Sequence, residues 1–208
     1  MSVRIARLGP SIFSAFVLAG AALPAVGQAN LNVKLELDPT VAFQNTAVSM
    51  QAIGNQRVLL PTGPVTGTAA DGSTATVNDL QQHSRNWSDI MTSTDCDYTL
   101  SGPSGYMRGG GFTCRADQDP APNKNRIFIA WSFIGTVDGS ETAEIGGYTV
   151  AATVRAKAAF YFPALTGGVG DNNSKLYYFP LATGFDVKSF YIIPLVIPPL
   201  PPPFGLGT

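Results

Sequence analysis

The sequence has few charged residues and a single histidine. Charged side chains make up 13% of its 208 residues, about half of the usual share in globular proteins. The formal net charge is −1, so we expect no basic surface that would attract nucleic acid. Because His83 is the only histidine, a serine or cysteine hydrolase mechanism would have to use it. These absences disfavour a nucleic-acid-binding protein and most hydrolases.

The sequence also lacks an apolar run long enough for a membrane helix. Its longest apolar run lies near the amino terminus. Arg4 and Arg7 precede an apolar run over residues 12–23, and small residues follow up to Ala29. This order is typical of a signal peptide. The run of 12 residues is too short for a membrane helix, which needs roughly 20. We expect cleavage after Ala29, or alternatively after Gly27.

Cleavage would release a mature protein without a transmembrane anchor. It would be secreted, and the periplasm, the cell surface and the extracellular medium are all open as its location. Loss of Arg4 and Arg7 with residues 1–29 lowers the formal net charge by two, from −1 to −3. The mature chain therefore stays close to neutral.

Cysteine is scarce as well, with only Cys96 and Cys114. In an oxidising compartment this pair predicts one disulfide, with two free buried thiols as the alternative. Residues 98–100 and 107–116 flank a turn with the sequence S-G-P-S-G, so we expect the disulfide to close a hairpin near its open end. With one histidine and no C-x-x-C spacing, a zinc site is disfavoured.

Period-two patterns predict strands along most of the mature chain. In the first of them, over residues 31–38, four apolar residues alternate with polar ones: Leu31, Val33, Leu35 and Leu37. Alternation over residues 148–162 predicts a long strand. Residues 126–136 are apolar at nearly every position, which predicts a central strand covered on both faces.

Shorter signals complete the predicted fold. Asp71 and Gly72 lie between two Thr-rich stretches and predict a hairpin turn. Residues 78–89 are the best place for a short helix, because they lack glycine and proline. We therefore predict an all-β fold, an antiparallel β-sandwich of jelly-roll or immunoglobulin-like type with at most one short helix. It would span residues 30–193, and a Pro-rich tail over 194–208 would be extended.

Two groups of residues are candidate binding sites. Asp95, Asp97, Asp117 and Asp119 flank the two cysteines. They could converge on a calcium ion or lie on an exposed loop, and we expect no other cofactor. Three aromatic residues could stack on a glycan or cover the core instead: Trp87, Tyr98 and Tyr106.

The first strand also carries a resemblance. Its sequence N-V-K-L-E-L-D-P-T-V, over residues 32–41, is similar to the opening strand of class 5 bacterial fimbrial pilins. In that family the opening strand is donated to a neighbouring subunit. The resemblance implies association by pairing of strands at a sheet edge. The short arginine-bearing signal and the two cysteines indicate a bacterial protein.

Three functional hypotheses follow. The first is a structural or surface-assembly protein, such as a filament or matrix subunit, with Leu31, Val33, Leu35 and Leu37 as the assembling face. Its partner would be another copy or another surface protein. The second is an extracellular module that binds a glycan or another ligand. The third is a secreted hydrolase that uses His83, although the residue pattern favours a protein that is not an enzyme.

Overall fold

The computed structural model describes residues 28–86, 90–163 and 174–195. Nearly all of the predicted signal peptide and most of the predicted Pro-rich tail therefore lie outside the described residues.

The described chain is nearly all β. In chain order its elements are β1 (Ala29–Asn30), β2 (Glu36–Asp38), β3 (Val41–Phe43), β4 (Val48–Leu59), β5 (Val65–Ala69), β6 (Thr74–Val77), α1 (Leu80–Asn86), β7 (Met91–Ser101), β8 (Met107–Gly111), β9 (Thr113–Gln118), β10 (Arg126–Val137), β11 (Gly146–Pro163) and β12 (Ser174–Ile193). A 3-10 turn, Pro103–Gly105, joins β7 to β8.

The strands form two sheets that pack face to face. Sheet A has the order β6-β5-β12-β11-β7-β8, and β1 and β3 also pair with β12. Sheet B has the order β2-β4-β10-β9. All pairings are antiparallel except those of β1 and β3 with β12, which are parallel. The predicted all-β sandwich is confirmed.

Alternation along the strands produces the core between the sheets. In β11 the side chains of Val150, Ala152 and Val154 are fully buried, while Ala151 and Thr153 between them lie on the outer face. Across the core, Ile127 and Ile129 of β10 are equally buried. Removal of this apolar surface from water is the main stabilising contribution to the fold.

The local turn and helix predictions are confirmed. Gly72 adopts a φ of 83° between β5 and β6, a left-handed conformation that glycine tolerates best. The helix α1 lies within residues 78–89, and the Asp79 side chain accepts a hydrogen bond from the backbone N–H of Gln82 at 2.9 Å. Asp79 therefore acts as the N-cap of this helix.

The prediction that residues 126–136 are covered on both faces is wrong. Only the inward face of β10 is buried, because sheet B is the outermost layer on this side. Ile134 points outward and is 73% exposed. On the same outer face, Phe128 is covered by the guanidinium groups of Arg57 and Arg115, which lie 5.0 and 5.8 Å from its ring centroid. Cation–π contacts of this kind favour an aromatic ring on an otherwise polar surface.

Cys96 and Cys114 form the predicted disulfide, but its expected place in a hairpin is wrong. Cys96 lies in β7 of sheet A and Cys114 in β9 of sheet B, with Cα atoms 6.2 Å apart. Strand pairing is interrupted at Phe112, between β8 and β9, and the chain crosses there to the other sheet, which contains Cys114. The Thr94 hydroxyl donates to the Cys114 carbonyl at 3.2 Å. One long side of the sandwich is thus closed covalently and by side-chain hydrogen bonds.

The burial of the two faces of β10 can be tested by the same substitution, isoleucine to alanine, on each face. Ile129→Ala removes a fully buried side chain and is expected to lower the free energy of unfolding by about 2–5 kcal/mol. Ile134→Ala removes an exposed side chain and is expected to change it by less than about 0.5 kcal/mol. Urea unfolding of both variants measures the difference, and equal destabilisation would contradict this assignment of the faces.

Candidate functional site

The N-terminal segment, residues 29–38, crosses from one sheet to the other. In β1, Ala29 and Asn30 pair with Ala182 and Thr183 of β12. In β2, Glu36 pairs with Gln51 of β4. Between β1 and β2, residues 31–35 have no strand pairing. The prediction of one continuous strand over residues 31–38 is therefore wrong, because the chain must leave sheet A to reach sheet B.

Three alternate side chains of this segment enter the core. Leu31, Val33 and Leu35 are 5%, 5% and 2% exposed, whereas Asn32 and Lys34 between them are exposed. Leu37 is only half-buried. Burial of each of the three side chains stabilises the folded chain by about 1.5–3 kcal/mol.

The slot that receives these side chains lies between β12 and β4. Gly184 of β12 forms part of its wall, since a Cβ atom there would lie 2.4 Å from the Leu31 carbonyl oxygen and 2.8 Å from a Val33 methyl carbon. A larger residue at position 184 would displace the segment. Glycine thus provides the space through which the chain leaves sheet A.

Polar anchors hold the backbone of the segment in the slot. The Leu31 N–H donates to the Thr183 carbonyl at 2.8 Å. The Gln56 side chain bridges two backbone groups, accepting from the Asn32 N–H and donating to the Asn30 carbonyl. The Leu35 N–H donates to the Asp186 carboxylate at 2.9 Å. Two side chains, Gln56 and Asp186, therefore replace the missing strand ladder.

A second feature is an aromatic cleft of about 360 Å³ between β8, β9 and β10. Tyr98 stacks on Phe133 with ring centroids 4.7 Å apart, and Phe112 contacts the same ring at 5.3 Å. The Arg108 guanidinium lies 6.0 Å from the Tyr98 ring centroid. The cleft therefore combines three rings with one cation.

Tyr106, predicted together with Tyr98, lies in a polar cluster beside the cleft, and Arg108 belongs to both. Its hydroxyl donates to the Glu141 carboxylate, which also accepts a hydrogen bond from Arg108 at 2.9 Å. The Asp138 N–H donates to Glu141 at 2.7 Å, and the Tyr148 hydroxyl donates to the Glu141 backbone carbonyl. This cluster fixes the loop between β10 and β11 against β8.

The charges in the cluster shift two pKa values in opposite directions. Burial, together with the hydrogen bond to the anionic Glu141, raises the pKa of Tyr106 to about 12. Burial also opposes ionisation of Glu141, but the hydrogen bonds from Tyr106, Asp138 and Arg108 outweigh it. They hold the Glu141 pKa below its ordinary value of 4.5. Tyr106 therefore remains a neutral donor and Glu141 an anionic acceptor near neutral pH.

The four aspartates predicted as a calcium site contact arginines in three separate places. Asp95 and Asp97 both lie beside Arg155 of β11. Asp117 lies 3.7 Å from Arg115, and Asp119 contacts Arg57 at 3.3 Å and Arg126 at 3.6 Å. Within the described ranges, no group of three or more acidic, histidine or cysteine side chains could hold a metal ion. The structure therefore does not bring the four carboxylates together.

The structure does not describe the side chains of the two remaining candidate residues. Trp87 and the side chain of His83 lie outside the described residues. No helix in the described part of the chain has the length and apolarity to cross a membrane.

Comparison with protein-family models, with curated proteins and with solved structures found no match to this chain. The geometry of the described residues is therefore the basis for any functional proposal.

The Glu141 cluster predicts a pH dependence of stability. Because the folded state lowers the pKa of Glu141, its ionised form stabilises the fold above pH 4.5, and this contribution is lost as the pH falls through the lowered value. Glu141→Gln removes that contribution. We expect its free energy of unfolding to fall less steeply than that of the parent below pH 4.5.

Chemical unfolding at a series of pH values measures this slope. Glu36→Gln, which removes one carboxylate from an exposed position, is the matched control. Parallel slopes for Glu141→Gln and the parent protein would disprove the role assigned to the cluster.

Proposed function

We propose that this protein is an exported structural or surface-assembly subunit, and that its N-terminal segment joins one copy to the next. The sequence supports export, since residues 1–29 have the order of a signal peptide. The near-neutral composition and the pairing of the candidate acids with arginines support a role in association rather than catalysis.

A single observation carries the proposal. Leu31, Val33 and Leu35 fill a slot in the core from a stretch of backbone that belongs to neither sheet. The same segment from a second copy would find the same apolar slot and the same acceptor and donor groups. Exchange of an identical element between copies preserves every contact, so it has little cost in free energy.

The connection after the segment favours such an exchange. Only Pro39 and Thr40 lie between β2 on sheet B and β3 on sheet A. The segment is therefore attached to the rest of the domain at one end by a two-residue hinge. Short hinges of this kind promote exchange of the element beyond them. A head-to-tail exchange that does not close on itself would produce a filament.

Locking the segment onto its own domain tests the proposal. Glu36 and Gln51 are exposed partners across β2 and β4, and paired strand residues have Cα separations that suit a disulfide. We expect the oxidised Glu36→Cys/Gln51→Cys protein to sediment as smaller species than the parent chain, because its segment cannot be exchanged. Reduction should restore the larger species expected for the mature parent chain.

The matched control is Ile53→Cys/Ser132→Cys, which joins exposed partners of β4 and β10 without touching the segment. It should assemble like the parent. Mixing the single variants Glu36→Cys and Gln51→Cys should also produce a disulfide between two different chains. Equal assembly of the locked protein, or a monomeric parent at every concentration, would refute segment exchange.

A second function, binding of a glycan or similar ligand, is favoured by the aromatic cleft. Besides its three rings, the cleft is lined by Arg108, whose Nε atom is buried and has no hydrogen-bond partner among the described residues. Aromatic side chains beside a cation suit a polar ligand that has apolar faces.

Filling the cleft tests this second function. Thr113→Trp places a large ring at its exposed rim and is expected to abolish binding on a glycan array. Leu59→Trp, on the exposed face of sheet B and away from the cleft, should leave binding unchanged. The absence of any ligand for the parent protein, or retention of binding by Thr113→Trp, would rule out the cleft as a glycan site.

A further inference from the structure

Sheet A has an apolar surface that the core does not explain. Six large side chains on β3 and β12, here called the apolar strip, are between 39% and 58% exposed: Val41, Phe43, Phe185, Val187, Tyr191 and Ile193. In the parallel pairing of these strands, Val41 lies beside Tyr191 and Phe43 beside Ile193. Ser189 lies between Val187 and Tyr191 on the same face, so the strip consists of two neighbouring apolar groups along β12. Clustered exposed apolar side chains of this kind mark an interaction site.

The strip borders a shelf of small side chains on β11. Opposite Tyr191, Val187 and Phe185 of β12 lie Gly147, Ala151 and Thr153. The Tyr191 ring lies close to Gly147, since a Cβ atom there would be 3.3 Å from the ring. The rings of the strip therefore project beyond the small, uncharged side chains of β11, which leaves space for an extended chain.

The sequence beyond the described residues has matching chemistry. After Leu195 the chain reads V-I-P-P-L-P-P-P-F-G-L-G-T and contains no charged residue. A proline-rich sequence of this kind favours polyproline II, in which the backbone carbonyls make no internal hydrogen bonds. Such segments dock on surfaces lined with aromatic rings. The strip offers three rings, and the Tyr191 hydroxyl is a donor for a tail carbonyl.

The length of the tail matches the strip. Thirteen residues follow Leu195, which in polyproline II would span about 40 Å. From Phe185 to Ile193 the strip runs for about 27 Å along β12. The tail is therefore long enough to cover it.

The position where the tail begins favours the strip of a second copy. The chain leaves the end of β12, so covering its own strip would require a reversal directly after Leu195. Turn-forming glycine, asparagine and aspartate are absent between Leu195 and Gly205, and the β-branched Val196 and Ile197 are poor turn residues. The sequence that follows is rich in proline, which favours an extended chain over a reversal.

We propose that the apolar strip is the docking surface for the proline-rich C-terminal tail of a second copy of this chain. The inference rests on the proposed self-association, because it needs a second copy, and it adds a contact that is independent of the N-terminal segment. Each copy would then receive one tail and donate another, so the contact is heterologous.

Photo-crosslinking in the full mature chain tests this contact. Leu200 is replaced by the photoreactive residue benzoylphenylalanine, and equal amounts of ¹⁴N- and ¹⁵N-labelled protein are mixed, irradiated and examined by mass spectrometry. We expect crosslinks from position 200 to residues 41–43 or 185–193, with light-to-heavy pairs as frequent as unmixed ones. Crosslinks that join only chains of the same isotope, or that fall outside the strip, would overturn the proposal.

Variants show whether the strip itself is responsible. Phe185→Ser/Tyr191→Ser should reduce the crosslinks about tenfold, which corresponds to a loss of about 1.4 kcal/mol of binding free energy. Ile134→Ser, at a 73% exposed position on the other sheet, should not reduce them. Circular dichroism and thermal unfolding confirm that each variant is folded. Unchanged crosslinking in the double variant would also overturn the proposal.

The same measurement in the oxidised Glu36→Cys/Gln51→Cys protein separates this contact from segment exchange. Mixed-isotope crosslinks that persist in the locked protein would establish the tail contact even if exchange of the N-terminal segment fails. Loss of these crosslinks on locking would refute a contact that is independent of the segment.

Discussion

The fold depends on how the two long sides of the sandwich are closed. One side is closed covalently, since the Cys96–Cys114 disulfide joins β7 to β9. The opposite side has no covalent bond and is closed by three apolar side chains of the N-terminal segment. Without them the core between β12 and β4 would be open to water, and loss of this burial would weaken both sheets. The segment thus completes the core, although it lies in neither sheet between Leu31 and Leu35.

Closure by a peripheral segment has consequences for association. A strand in the middle of a sheet is held by two ladders and cannot leave without breaking both. Between Leu31 and Leu35 the N-terminal segment is held by Gln56, Asp186 and the apolar slot instead of two ladders, so an identical segment from another copy would re-form the same few contacts. The outer face of β12 carries the apolar strip. One strand is therefore adjacent to both surfaces that we propose for contact with another copy.

Local patterns in the sequence predicted much of this architecture. The alternation over residues 148–162 and the Asp71-Gly72 turn correspond to β11 and the β5–β6 hairpin, because each depends on neighbouring residues alone. The break at Phe112 and the crossing at Gly184 escaped prediction, since both depend on which sheet the chain meets next. The apolar strip was missed because exposed and buried apolar residues look alike in a strand pattern. The separation of Asp95 and Asp97 from Asp117 and Asp119 likewise required the arginines of distant strands.

The parallel pairing of β1 with β12 also determines how the domain would bear a pulling force. The first described strand and the last one run in the same direction, so tension on the two ends of the chain would slide them past each other lengthwise. All hydrogen bonds between them would then be loaded together, and none could open first like the end of a zipper. The second parallel pairing, of β3 with β12, would share the load. A domain pulled at its two ends would therefore resist stretching through shear of these parallel pairings.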